Sequence, residues 1–240
     1  MKLVIFDLDD TLADVGRGIP CDVVSRLNAL SERGVKFAIC SGKPTYYIVG
    51  LARQCEFKDG IFIGENGASI QFGISLPPVE YYELDFDTSI LSVFPEIRDG
   101  IIKKFDGGKN IWFQPNETIF TVYFDNENDH KTVAEVIAPY ESILRDKHAN
   151  IFDSYDSIDI VPNGLSKGKA LKFLATKLGI EKSEIIAVGN GDNDISMYEN
   201  ACMSIGINQP YGGENHHVAK DIHEAIDIIE ELVTNRNGVE

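Results

Sequence analysis

The stretch Lys2-Leu-Val-Ile-Phe-Asp-Leu-Asp-Asp-Thr-Leu12 decides the fold of this chain. Four apolar residues in a row, without polar alternation, have the pattern of a strand buried on both faces of a parallel sheet. The segment then delivers two carboxylates, Asp7 and Asp9, one residue apart. Strand alternation places such a pair on one face, with Leu8 turned the other way. Two acids crowded at the end of a buried strand repel each other, and this costs free energy unless a cation or a protonated partner compensates.

Outward from this stretch, similar apolar runs recur at 35–40, 185–188 and 204–207, and these read as further parallel strands. Segments of helical period lie between them at Cys21–Glu32, 46–54, 169–178 and 222–232. The last carries Ile222, Ala225, Ile226, Ile229 and Val233 on one stripe. Alternating strands and helices imply an α/β fold, a parallel sheet covered on both faces.

The middle of the chain breaks this pattern. Residues 61–63 and 68–72 flank Glu65-Asn66-Gly67, a hairpin signal in which Asn-Gly supplies the positive-φ turn. After Pro77-Pro78, the short runs 81–86, 111–114, 118–124, 151–153 and 158–161 read as strands. Helix-like stretches lie near 90–105 and 130–142. We therefore expect an inserted α+β unit at 79–162, between a first core segment at 1–78 and a second at 163–240.

Composition narrows the function classes. At 240 residues, 43% hydrophobic and 25% charged, the chain can bury a substantial core. A formal charge of -16 argues against non-specific binding to nucleic acid or to an anionic membrane, and favours a bound divalent cation. Cys21, Cys40, Cys55 and Cys202 show no CxxC pairing, which points to a reducing, cytoplasmic setting. The N-terminal segment is too short and acidic for a signal h-region or a membrane span. His216, His217 and His223 lack a matching third ligand and read as surface residues. Oligomeric state is left open.

Three of the inferred parallel strands end in residues suited to phosphate chemistry: Phe6 into Asp7, Cys40 into Ser41-Gly42-Lys43, and Val188 into Gly189-Asn-Gly-Asp-Asn-Asp194. Ligands of open α/β sheets gather beyond the carboxyl ends of the strands, so these junctions should converge. Leu165-Ser-Lys-Gly-Lys169 opens a helix and brings Lys167 or Lys169 to the same mouth. The physical reading is phosphoryl transfer onto a carboxylate. Asp7 attacks phosphorus, and Asp9 protonates the leaving oxygen and then takes a proton from water.

A carboxylate approaching a phosphate dianion needs positive charge, since unit charges 4 Å apart interact by about 4 kcal/mol at an effective dielectric near 20. Magnesium held by Asp7, the backbone carbonyl of Asp9 and the 189–194 loop would supply most of it, and the lysine the rest. The Ser41 hydroxyl and the backbone N–H groups of Gly42 and Lys43 are suited to gripping phosphate oxygens, with Asn193 donating from the opposite side.

These segments resemble the four motifs of the haloacid dehalogenase superfamily, in particular its Cof-like branch of phosphatases. The nucleophile motif DxDxT is Asp7-Leu-Asp9-Asp-Thr11, the second motif Ser41-Gly-Lys43, the third Ser166-Lys167-Gly168, and the fourth Gly189-Asn-Gly-Asp-Asn193-Asp194. The resemblance implies a Rossmann-like core with an α/β cap inserted between the second and third motifs. It also implies Asp7 as nucleophile, Asp9 as general acid/base, Ser41 and Asn193 on phosphate, Lys167 steadying nucleophile and phosphate, and magnesium as cofactor.

This chain departs from the family at two places. Asn190 stands where relatives usually carry Asp, so an amide oxygen replaces a metal carboxylate. We expect Asp194 to assist, giving a metal set of Asp7, Asp9, Asn190 and Asp194; in a shifted register Asp192 takes the ligand role. Lys43 stands where many relatives have Arg, which removes the bidentate fork. The expected function is hydrolysis of a small phosphorylated metabolite, such as a sugar phosphate or phosphoglycolate, through an aspartyl phosphate, with the cap closing over the site. A phosphohexomutase using the same intermediate, and a non-catalytic phosphorylatable switch, are the rival readings.

Overall fold

Leu3–Phe6 forms β1, buried along its whole length. The computed structural model describes residues 1–147 and 149–237; positions 148 and 238–240 of the expected segments lie outside the described residues. After β1 come α1 (Cys21–Glu32), β2 (Lys36–Cys40), α2 (Thr45–Gln54), β3 (Ile61–Gly64), β4 (Ser69–Phe72) and β5 (Glu80–Glu83). Next are α3 (Phe94–Lys104), β6 (Ile111–Phe113), β7 (Phe120–Phe124), α4 (Glu127–Ile137), α5 (Glu141–Asp146), β8 (Ala149–Asp153) and β9 (Ser157–Pro162). The chain then continues through α6 (Lys167–Leu178), β10 (Ile185–Gly189), α7 (Ile195–Tyr198), β11 (Met203–Ile207), β12 (His216–Ala219) and α8 (Ile222–Asn237).

Two units result, one of Met1–Leu84 with the chain from Ser166 onward, the other of Asp85–Leu165. The first is built on an eight-stranded sheet of order β12-β11-β10-β1-β2-β3-β4-β5. From β12 to β3 every pairing is parallel, and β4 and β5 add antiparallel strands at one edge. Val4, Phe6, Phe37, Ile39, Ile186 and Val188 pack in one cluster with residues of α1, α2 and α8. Their neighbours Leu3, Ile5, Ala38, Cys40, Ile185 and Ala187 are equally buried and turn to the other face, where α6 buries Ala170, Leu171 and Leu174. Helices thus cover both faces, as uninterrupted apolar strands require.

The chain runs from β1 through β2 to β3 in one direction across the sheet, and from β10 through β11 to β12 in the other. The reversal falls between β1 and β10, and a crevice at the carboxyl ends of these strands is where such sheets bind ligands. Arg26 on α1 braces the back of the sheet, donating to Glu230 at 2.9 and 2.7 Å and to Asp227 at 2.6 Å on α8.

The second unit has its own antiparallel sheet, β6-β7-β9-β8. Ile97 and Ile101 of α3, Val133 and Ile137 of α4 and Leu144 of α5 pack with Val122, Ile158 and Ile160 of that sheet to form a separate core. Three details differ from the sequence reading. Glu80–Glu83, read as part of the insert, pairs with β4 in the large sheet, because its partner strand is supplied by the hairpin just before it. His216, read as a surface residue, lies in a strand. It is half-buried and held by the Ser204 hydroxyl at 2.8 Å and the Gln209 carbonyl at 2.9 Å. The turn after β3 puts Glu65 as well as Asn66 and Gly67 at positive φ, 50°, 54° and 108°.

Candidate active site

β1 ends at Phe6, but its ladder continues one bond further, as Asp7 N–H donates to the Val188 carbonyl on β10 at 2.9 Å. The chain then leaves the strand in a tight turn. The N–H groups of Leu12 and Ala13 return to the Leu8 carbonyl, and Asp10 adopts φ 55°. Asp9 therefore reaches the site from a turn and not by strand alternation.

Lys167 opens α6 behind the cap residue Ser166, whose hydroxyl accepts from Lys169 N–H at 3.1 Å. Its ammonium donates to Asp7 Oδ1 at 2.5 Å and to Asp194 Oδ1 at 2.6 Å. All three side chains are out of water, at 1% exposure for Lys167, 6% for Asp7 and 0% for Asp194. One cation thus faces two carboxylates in a dry site, leaving a net negative charge. Burial pushes the Asp7 carboxyl up from 3.8 to about 7; Lys167 pulls it down but is shared with Asp194, which raises it again. Burial would lower the Lys167 ammonium, but Asp194 and Asp7 outweigh it and hold its proton more firmly than usual. Lys167 is therefore a fixed cation, and Asp7 is a carboxylate short of compensation.

The other predicted groups are arranged around this triad. Lys43 pairs with Asp9 Oδ2 at 2.8 Å, so the expected phosphate-side cation is held on the expected acid/base. Ser41 is buried and its hydroxyl oxygen accepts from Lys43 N–H at 3.2 Å, which leaves the hydroxyl proton to donate. Asn190 Oδ1 accepts from the Thr11 hydroxyl at 3.1 Å. Asp194 Oδ2 accepts from the N–H groups of Asn190 and Gly191 at 2.9 and 3.0 Å. Asp192 is exposed. Asn193 is half-buried, and its carbonyl accepts from the Ser196 hydroxyl at 3.3 Å. That same hydroxyl takes the Gly168 N–H at 3.0 Å, tying the 189–194 loop to the start of α6. Side-chain hydrogen bonds therefore join Asp7, Lys167 and Asp194 directly, and Asp9 with Lys43 separately.

Sequence reasoning passed over Thr11 and Ser196 as partners of these groups. Thr11 carried a signal, as the last residue of the DxDxT pattern. Ser196 carried none, because its role depends on two elements nearly thirty residues apart.

Among the described residues no three His, Cys, Asp or Glu side chains gather into a ready-made metal cage. The donors that would hold a divalent ion are Asp7 Oδ2, the Asp9 carbonyl and the Asn190 amide oxygen. Magnesium prefers such hard oxygens, tolerates few protein ligands and completes its shell with water and substrate phosphate. The uncompensated charge at Asp7 fits such an ion. Asp194, the fourth member of the expected metal set, accepts from Lys167 on Oδ1 and from the loop N–H groups on Oδ2. Its contribution is to shape the loop that presents Asn190.

The second unit holds a cavity of its own of about 310 Å³, lined by residues including Arg98, Phe113, Gln114, Asn116 and Glu117. The Arg98 guanidinium lies 4.9 Å from the Phe113 ring centre. Trp112 is exposed and rests on Tyr123, their ring centres 5.5 Å apart. Among the described residues no helix is long and apolar enough to cross a membrane.

The fold has close parallels. A haloacid dehalogenase-like hydrolase from Bacteroides thetaiotaomicron matches with a TM-score of 0.74 at 23% identity, over 96% of this chain and 99% of the other. The sucrose-phosphatase of Synechocystis sp. PCC6803 matches with a TM-score of 0.66 at 18% identity, over 96% and 97%. In sequence, the phosphoglycolate phosphatase of Methanoculleus marisnigri is 26% identical over 86% of this chain and 84% of its own length. Residues 4–76 and 102–209 match the haloacid dehalogenase-like hydrolase family. With that match spanning most of the sequence and the four motifs meeting at one crevice, the chain belongs to the haloacid dehalogenase-like hydrolases.

Proposed function

We propose that this protein is a magnesium-dependent phosphatase that hydrolyses a small phosphorylated metabolite through an aspartyl phosphate on Asp7. The observation that carries this reading is the buried Asp7–Lys167–Asp194 triad, with Asp9 and Lys43 paired beside it. Lys167 fixes Oδ1 of Asp7 as the atom that approaches phosphorus, which leaves Oδ2 to face the metal site. The Ser41 hydroxyl, whose oxygen is held by the Lys43 N–H, donates to the phosphoryl oxygens and orients them. Asp9, steered by Lys43, donates its proton to the leaving oxygen and then accepts one from the water that hydrolyses the acyl phosphate. A bound magnesium ion would supply charge neutralisation between the carboxylate and the phosphoryl group.

Relatives named phosphoglycolate phosphatase and a fold relative named sucrose-phosphatase support a phosphomonoester of a small acid or sugar as substrate. The test is a screen of phosphorylated metabolites with and without magnesium, reading released phosphate. Hydrolysis should require the metal, vanish in Asp7→Asn, and proceed with retention of configuration at a chirally labelled phosphorus, since two successive in-line displacements restore it. Inversion at phosphorus, the mark of a single direct attack by water, would overturn the covalent route.

A further inference from the structure

Helix α6 opens with the cation of the site, and its first turn is completed by a residue from elsewhere in the chain. The Lys169 N–H donates to the Ser166 hydroxyl and the Ala170 N–H to the Ser166 carbonyl, both at 3.1 Å, as at an ordinary capped helix start. The Gly168 N–H is met instead by the hydroxyl oxygen of Ser196 on α7, at 3.0 Å and 28 positions further along the chain. Position 168 has to lack a side chain for this contact, because a Cβ there would run into the Ser196 carbonyl. The residue after Lys167 therefore seats directly on the helix that follows the 189–194 loop.

The same hydroxyl has a second partner. It donates to the Asn193 carbonyl at 3.3 Å, so one oxygen spans the start of α6 and the loop that carries Asn190, Asn193 and Asp194. The Asn193 side chain lies over Gly191, where a Cβ would come within 2.8 Å of its Oδ1, and the aim of this amide follows the loop backbone. Ser196 is itself held from behind. The Asn200 N–H donates to the Met197 carbonyl at 2.9 Å, while Asn200 Nδ2 donates to the Ser196 carbonyl at 2.7 Å. The Ser196 hydroxyl thus bonds to the backbones that carry the reacting groups, not to the groups themselves.

We propose that Ser196 is a positioning residue for the reaction, its hydroxyl holding the segment of Lys167 and the segment of Asn193 at a fixed separation. This rests on the phosphatase reading and adds a residue that acts through the groups named there. Lys167 steadies Asp7 only while its ammonium stays between Asp7 Oδ1 and Asp194 Oδ1, at 2.5 and 2.6 Å. Preorganised charges and donors lower a barrier because they need no rearrangement as charge develops, so a small misplacement is costly. Without the hydroxyl, the Gly168 N–H loses its acceptor and the Asn193 carbonyl its donor, and the bridge between the two segments is gone. The loss falls on kcat, since Lys167 and Asn193 meet the charge that shifts at phosphorus in the transition state.

The probe is 4-nitrophenyl phosphate, hydrolysed by the full-length protein with magnesium present. Ser196→Ala removes only the hydroxyl, Ser196→Thr keeps it, and Asp7→Asn serves as the inactive reference. We expect kcat to fall about tenfold in Ser196→Ala with KM within about twofold, and Ser196→Thr to restore most of the loss. Melting temperatures of both should stay within a few degrees of wild type. Unchanged kcat in Ser196→Ala beside an inactive Asp7→Asn would overturn the assignment and leave the phosphatase reading intact. A rise in KM at constant kcat, or a loss that Ser196→Thr does not recover, would overturn it equally. So would a Ser196→Ala chain that no longer folds, since the hydroxyl would then be structural. A wild-type protein that hydrolyses neither this probe nor any phosphomonoester in the metabolite screen would remove both readings together.

Discussion

Replacing Asp7 by Asn should make the metal-free protein more stable at alkaline pH, not less. Burial outweighs the attraction of Lys167 and holds the Asp7 carboxyl at about 7, against 3.8 for an ordinary Asp. The folded state therefore binds this proton more tightly than the unfolded chain does. The stability that goes with it is fully present below about pH 3.8 and is lost as pH rises through about 7. At 1.36 kcal/mol per pH unit the full loss is about 4 kcal/mol, of which roughly 3 kcal/mol falls between pH 5 and pH 8. Asn does not titrate and leaves Lys167 paired with Asp194.

Urea denaturation in the presence of a chelator gives the measurement. The stability of Asp7→Asn relative to wild type should grow by roughly 3 kcal/mol from pH 5 to pH 8. Magnesium should narrow the gap by stabilising wild type alone, because binding to the folded state shifts its equilibrium. A difference that does not change with pH would refute the reasoning, and so would wild type gaining on the variant as pH rises. Either result would mean that Lys167 compensates Asp7 in full and that no excess negative charge awaits a cation.

Lys43→Ala removes the cation 2.8 Å from Asp9 Oδ2, so kcat should drop by about 10- to 100-fold in steady-state assays. Lys43→Arg should recover most of that loss, and a Lys43→Ala enzyme with unaltered kcat would show that Asp9 needs no steering. Gly168→Ala would drive a Cβ into the Ser196 carbonyl, pushing the start of α6 and its Lys167 out of place. Thermal denaturation should show a loss of about 1–3 kcal/mol together with most of the activity; a fully stable, active variant would contradict the packing described.

The elements were legible where one rule dominates. Unbroken apolar runs gave β1 at Leu3–Phe6, and helical period gave α1 at Cys21–Glu32, because burial on both sheet faces and on one helix stripe leaves a local imprint. The edge of the sheet was less legible. Glu80–Glu83 alternates between half-buried and exposed, and nothing within it states that its partner is β4. His216–Ala219 likewise reads as polar surface until it is seen beside β11.

The sequence by itself determined the chemistry on offer: two acids after a buried strand, a hydroxyl before a glycine, a lysine at a helix start and an acidic loop, in that order. Only the tertiary structure decided how these groups are shared. Lys167 meets Asp7 across 160 positions of chain and Asp194 across 27, and Lys43 meets Asp9 across 34. Asp194 becomes a scaffold for its loop, and Ser196 bonds that loop to the start of α6. Periodicity and local motifs act over a few residues, whereas the charge balance and desolvation that fix these roles arise only when distant strand ends meet in one crevice out of reach of water.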